Sequence, residues 1–244
     1  KKIKKINPKS VILIDFPGVK PRTNNKNPVT IKKNQIVSFR YGTKNLVDDI
    51  LLTRPLPKNI KAKIFSIDDG KFYFKLVSKN INSLKGKALQ NCIIKPKKGL
   101  NIPNSIYDDN LQEQIYTKYF NLFSKTKIDA VGLSFVQNKK IIEKIKKRYP
   151  ELNLVSKVEN SEGLKNVEEI SKSSDAIMID RGDLSAEIGN DKLYDAINKI
   201  SKICKKYGRP LIMATENLES LHNQNIPSKN DIISLGHSME VNSD

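Results

Sequence analysis

The stretch LNLVSKVENSEGLKNVEEISKSSDAIMIDRGDLSAEIG, residues 152–189, decides the fold. It opens on a short apolar strand, 152–157, and turns at the capping candidates Asn160 and Ser161. Leu164, Val167 and Ile170 then follow at helical spacing, before a second apolar strand at 175–180. Strand, helix and strand in that order, with strands apolar throughout rather than alternating, form the pattern of a parallel βα protein.

Working outward, the same unit recurs. Upstream lies strand 129–136 (DAVGLSFV), followed by a helix with Ile141, Ile142, Ile145 and Tyr149 on one face. Downstream, Leu193, Ile197, Ile200 and Cys204 mark a helix with Gly208 as its C-terminal cap, then strand 210–215 (PLIMAT) and a helical stretch at 231–240. Strand 10–15 (SVILID) has the same buried character. Between 24 and 97 the period changes to alternation: Phe72, Phe74 and Leu76 face one way and Lys71, Tyr73 and Lys75 the other, just after the hairpin signal Asp69-Gly70. The expected class is α/β, a TIM (β/α)8-type barrel carrying an inserted small antiparallel β domain. Its barrel part spans 1–23 and 98–244, and its insert 24–97. Five barrel-type strands against the eight of a closed barrel make the barrel incomplete in this chain.

Composition narrows the class. The chain has 244 residues, 38% of them hydrophobic, so it can bury a core; no run is long and apolar enough for a membrane span, and Lys1 to Lys9 lack the apolar core of a secretory signal. Cys92 and Cys204 have no CxxC spacing and suit free thiols in a reducing cytoplasm. His222 and His237 stand apart from any zinc pattern. The net charge of +18 suits nucleic acid, an anionic membrane or phosphorylated small molecules. Because it is spread as Lys doublets (32–33, 139–140, 146–147, 205–206) and not as one arm interleaved with aromatics, nucleic acid is disfavoured and solvated helix faces are expected.

Side chains at the C-terminal ends of parallel barrel strands share one mouth. Three such ends carry Lys157-Val158-Glu159-Asn160, Arg181-Gly182-Asp183 and Thr215-Glu216. Glu159 and Asp183 offer hard oxygen ligands for Mg2+ or Mn2+, and Lys157 a point charge for a phosphoryl group. By themselves, Lys157 and Glu159 fit an ordinary surface ion pair equally well.

Three segments, VSKVENSEGLKNVEEI (155–170), SDAIMIDRGDLSAEIG (174–189) and PLIMATENLESL (210–221), resemble consecutive motifs of the pyruvate kinase family in order and spacing. LIDFPGVKPRT (13–23), IDDG (67–70), KKGLNIP (97–103) and LSFVQ (133–137) extend the likeness over nearly the whole chain. The resemblance implies a phosphotransferase making pyruvate and ATP from phosphoenolpyruvate and ADP in the cytoplasm, as a homo-oligomer without membrane contact. It places the divalent metal on Glu159 and Asp183. Lys157 would act on the phosphoryl group and the enolate. The N–H groups of Gly182 and Asp183, with the Thr215 hydroxyl, would hold the substrate carboxylate, and Thr215 would stand where the enolate is protonated. Arg22, Lys98 and the lid residue Asp69 would meet the nucleotide.

Several residues depart from the family pattern: Asp180 for a small Ala, Ser185 for Gly, and Glu216-Asn217 for Gln-Met. Extra carboxylates in the mouth would repel an anionic substrate or recruit metal differently. NIPSKND (225–231) only faintly resembles the segment that builds the family's subunit interface. Lys20 stands where potassium-dependent members carry Glu and independent ones Lys, and Phe16 replaces a hydroxyl that helps ligate K+. K+ is therefore not expected to be required, with Asp15 free to pair with Lys20. Two alternatives stay open: a metal-dependent aldolase or lyase working through enolate chemistry, and a catalytically silent homologue binding anionic partners.

Overall fold

The computed structural model describes residues 2–42, 49–126, 128–215 and 217–243. A short helix α1 (Lys2–Ile6) precedes strand β1 (Leu13–Phe16), after which the chain leaves for the insert. There, β2 (Val29–Ile31) pairs with β8 (Cys92–Ile94). A second sheet has the order β4 (Asp49–Leu52), β3 (Ile36–Tyr41), β7 (Ser83–Ala88), β6 (Phe72–Lys79), β5 (Ile64–Ile67) and β9 (Leu100–Asn101). Its pairings are antiparallel except β3 with β4. The alternation read at 71–76 holds, with Phe74 inside and Tyr73 and Lys75 outside. Phe74 packs on Phe39 and Phe65 with ring centroids 5.3 and 5.4 Å away. The β5–β6 turn uses left-handed backbone at Asp68, Asp69 and Gly70 (φ 61°, 51° and 82°), which Asp and Gly tolerate better than other residues.

Helix α2 (Asp109–Phe123) returns the chain to the barrel. Then follow β10 (Ala130–Leu133), α3 (Lys139–Arg148), β11 (Asn153–Val158), α4 (Ser161–Lys165), α5 (Val167–Ser173), β12 (Ala176–Asp180), α6 (Arg181–Ile188), α7 (Leu193–Tyr207), β13 (Leu211–Ala214), α8 (Glu219–Gln224) and α9 (Lys229–Glu240). Strands β1, β10, β11, β12 and β13 lie side by side in that order, all parallel, as an incomplete (β/α)8-type barrel with the small β domain inserted after its first strand.

One expected helix differs in detail, and one helix was not expected. The helix read as continuous from Asn160 breaks at Asn166, whose amide side chain donates to the Gln137 carbonyl (2.8 Å) and to Glu162 (3.1 Å). Helix α2 has no counterpart in the sequence reading, although Asp108 caps it and Tyr116 and Phe120 recur at i, i+4 on its buried face. Gly208 takes the left-handed cap conformation expected of it (φ 60°).

The pleat sorts side chains into two layers. Outward, Phe16, Leu133, Leu154, Val158, Ile177, Ile179 and Leu211 join α3, α5 and α7 in one core. Burying each such side chain contributes roughly 1.5–3 kcal/mol. Inward, Ala130, Val155 and Ala176 pack with Leu13, Met178 and Ile212. Continuing that inner layer toward the carboxyl ends brings Asp15, Gly132, Lys157, Asp180 and Ala214 to one rim. The register pairs Asp15 with Gly132, Lys157 with Met178, and Asp180 with Ala214. Gly132 makes room: a Cβ there would lie 3.2 Å from Asp15 Oδ1. Among the described residues no helix is long and apolar enough to cross a membrane.

Candidate active site at the strand ends

Lys157 is the hub of the rim. It is 6% exposed, and its Nζ stands 2.9 Å from Asp15 Oδ2, 2.9 Å from Glu159 Oε1 and 3.5 Å from Asp180 Oδ2. Glu159 is buried as well, so these two are no surface pair. Its second oxygen accepts the Phe135 N–H at 2.6 Å, and Phe135 holds the uncommon φ of 66° to deliver it. Burial works against the Lys157 ammonium, yet Glu159 and Asp15 outweigh it and raise its pKa. Burial pushes Glu159 up to about 8; Lys157 opposes the rise and the Asp183 and Asp180 carboxylates add to it.

Asp183 sits in the first turn of α6, buried, and its Oδ1 takes the Lys20 ammonium and, at 3.5 Å, the Asn101 amide. Burial would raise this carboxyl, but Lys20 holds it below its usual range. Lys20 is itself 5% exposed and reaches Asp69 of the β5–β6 turn at 3.4 Å. Gly99 allows this approach, since a Cβ there would fall 2.5 Å from Lys20 Nζ. The expected Asp15–Lys20 pair is therefore corrected. Asp15 goes to Lys157 and the Ser134 hydroxyl (2.9 Å), because Lys20 projects across the mouth to α6 and the β5–β6 turn.

Thr215 closes the arrangement. Its backbone is left-handed (φ 62°), an outlier for a β-branched residue costing about 1–3 kcal/mol, and Arg181 donates to its carbonyl. The Thr215 hydroxyl accepts the Gly182 N–H (3.4 Å) and donates to Asp180 Oδ1 (3.2 Å). Asp180 is the N-cap of α6, and the same oxygen accepts the Asp183 N–H at 3.4 Å.

Oxygen atoms of Glu159, Asp180 and Asp183 lie within 4.8 Å of one another. Three hard oxygen donors converging beside a cavity of about 250 Å³ fit Mg2+ or Mn2+, which keeps waters or substrate oxygens in its remaining positions. Arg22, Arg54, Lys20 and Lys157 line the same cavity and face it with positive charge.

The structure brings together Asp15, Lys20, Arg22, Asp69, Lys157, Glu159, Gly182, Asp183 and Thr215. Lys98 instead pairs with Asp68 of the β5–β6 turn at 2.7 Å. Glu216 lies outside the described residues. Asn217 is not in the mouth: it accepts from Arg181 and donates to the Met213 carbonyl. Ser185 bonds the Gly182 carbonyl of its own helix turn. Sequence reasoning missed Arg54, Asn101, Arg181 and Glu187. Arg181 was quoted at a strand end without a role and Glu187 lay within a quoted motif, and charges so close to a buried strand end were the available signal; Arg54 and Asn101 gave none.

Glu187 carries a prediction. It is buried on α6, meets the Ser161 hydroxyl at 3.5 Å, and its Oε1 has no partner among the described residues. Burial pushes it up to about 7, against Lys20 and with Asp183. An acid raised in the folded state contributes fully below its unfolded value of 4.5 and loses that contribution as pH climbs through about 7. Stability should fall across that window by up to about 3 kcal/mol, and Glu187→Gln should flatten the fall. Urea unfolding at pH 5 and pH 7.5 checks this; equal slopes in both proteins would contradict it.

The other polar candidates play no part in the mouth. Cys92 and Cys204 are buried free thiols raised by burial, Cys204 to about 11, and so are poor nucleophiles. His237 stacks on Tyr194 with centroids 4.6 Å apart.

Comparison with known proteins follows the same lines. A family model described as the pyruvate kinase barrel domain matches residues 1–239. The pyruvate kinase of Borreliella burgdorferi is 29% identical over 252 residues, covering 97% of this chain and 51% of that protein. That of Thermotoga maritima is 28% identical over 239 residues, covering 93% and 51%. A crystal structure of a pyruvate kinase from Cryptosporidium parvum aligns with a TM-score of 0.84 at 25% identity, covering all of this chain and 53% of that one. The chain spans about half the length of these curated relatives.

Proposed function

Because the chain belongs to the pyruvate kinase family, we propose that the protein transfers the phosphoryl group of phosphoenolpyruvate to ADP, giving pyruvate and ATP. The observation that carries this reading is the convergence of Lys157, Glu159 and Asp183 on one cavity edged by Arg22 and Lys20. Glu159 and Asp183 would hold Mg2+ or Mn2+. When bound, the metal supplies Lewis acidity toward substrate oxygens. Lys157 balances the charge that grows on the phosphoryl oxygens and on the enolate as the P–O bond breaks, and Thr215 stands where the enolate carbon takes its proton. Arg22, with Arg54 beside it in the cavity, and Lys98 would meet nucleotide phosphate oxygens, and Asp69 would sit on the lid whose closure excludes water. The proposed division is a barrel of 1–23 and 98–244 with a lid of 24–97. Strand β9 ties the barrel's return to the lid sheet. Apolar side chains on α9, with Ile233 and Met239 each 70% exposed, support self-association, and the free thiols suit a cytoplasmic setting.

A lactate dehydrogenase coupled assay tests the reading. NADH loss should need phosphoenolpyruvate, ADP and Mg2+ together. Asp180, a third carboxylate on the rim, favours as second reading a metal-dependent lyase or a silent homologue. Salt-dependent binding of nucleic acid without turnover would favour silence.

Activity should not respond to replacing K+ with a bulky tetraalkylammonium ion at constant ionic strength. The Lys20 ammonium lies in the cavity, and Phe16 is turned into the aromatic cluster of Tyr119, Phe120 and Phe123, offering no oxygen. Several-fold activation by K+ would refute this.

A further inference from the structure

We propose that Asp180 is a built-in occupant of the anion subsite at the head of α6, standing where the carboxylate of a 2-oxo acid would sit beside the metal. The inference rests on the metal-centred reading above and deepens it by naming what limits substrate entry.

Consider which donors face the cavity at that point. The Thr215 hydroxyl has one proton, and it goes to Asp180 Oδ1 at 3.2 Å while the Gly182 N–H occupies the hydroxyl oxygen at 3.4 Å. The Asp183 N–H also goes to Asp180 Oδ1, at 3.4 Å. Lys157 lies 3.5 Å from Asp180 Oδ2. One carboxylate thus uses the hydroxyl and helix-end donors, together with a share of the Lys157 ammonium, and an oxygen of it sits within 4.8 Å of oxygens of Glu159 and Asp183. A 2-oxo acid that chelates the metal must set its own carboxylate on the same donors. It would have to displace Asp180 and then face its charge at short range, both of which weaken binding. Without such a ligand, the third carboxylate strengthens the hold on the metal itself.

The test compares the protein with Asp180→Ala and with Asp180→Ser, the latter keeping a short oxygen to cap α6. Water-proton relaxation reads bound Mn2+ and the loss of its coordinated water when oxalate, a chelating stand-in for the 2-oxo acid, enters. Both variants are expected to take oxalate at a concentration about tenfold lower or more than the unaltered protein, and to hold Mn2+ alone several-fold less tightly. Equal oxalate affinity in all three proteins, with Mn2+ bound, would overturn this proposal and leave the metal reading intact. Absence of Mn2+ binding in all three would overturn both.

Discussion

Lys157→Met is expected to lower phosphoryl transfer about a thousandfold or more while Mn2+ binds no more weakly than before. The ammonium stands 2.9 Å from Glu159 and Asp15 and is nearly removed from solvent, and in the proposed function it would act on charge that develops in the cavity without being a metal ligand. Methionine keeps the length and the packing but leaves Glu159, Asp180 and Asp15 without their shared cation. Losing one partner of a buried pair costs about 3–5 kcal/mol, so the variant should melt early in EDTA and recover when a divalent cation replaces the lost charge. Rapid-quench measurement of the transfer step, beside a thermal melt with and without Mn2+, reads both effects. An unchanged rate constant would remove Lys157 from the chemistry, and a melting temperature indifferent to Mn2+ would remove the metal from its neighbourhood.

The barrel strands were readable in advance because both of their faces are buried, and uniform apolar runs set between helical periods fit a parallel sheet and little else. The β5–β6 hairpin was readable because Asp-Gly next to alternating residues specifies a turn. The carboxylates and the lysine were readable as residue types at strand ends, where a parallel sheet must gather them. What was not readable depends on contacts far apart in sequence. Lys20 meets Asp183 across 163 residues and Lys157 meets Asp15 across 142, and no local pattern says that a lysine after β1 will pass its neighbouring aspartate for one on α6. Glu187 stood inside a quoted motif with nothing local to mark it, and its burial comes from the tertiary packing around it, the Ile102 backbone included. Helix α2 escaped because its buried face carries Gln112 and tyrosine hydroxyls; Gln112 and Tyr116 both bond the Ser134 carbonyl, and polar atoms there mask the apolar period. Asp180 was visible as a departure. That it would repel an anionic substrate or alter metal binding was readable too; which donors its carboxylate reaches was not.

Asp183→Asn carries the second large effect and bears on the central claim that Glu159 and Asp183 hold one divalent metal. The substitution keeps shape and the helix position but replaces a carboxylate with a neutral amide, and it leaves the buried Lys20 ammonium with Asp69 alone at 3.4 Å. Loss of one of the hard anionic ligands, with a cation now uncompensated beside the site, should weaken Mn2+ binding by about a hundredfold or more and lower turnover in step. Calorimetric titration with Mn2+ at pH 8 or above, since burial pushes Glu159 up to about 8, is the direct measurement. The unaltered protein should bind one Mn2+ per chain and Asp183→Asn none at matched concentrations; equal stoichiometry and affinity in the two proteins would contradict the assignment.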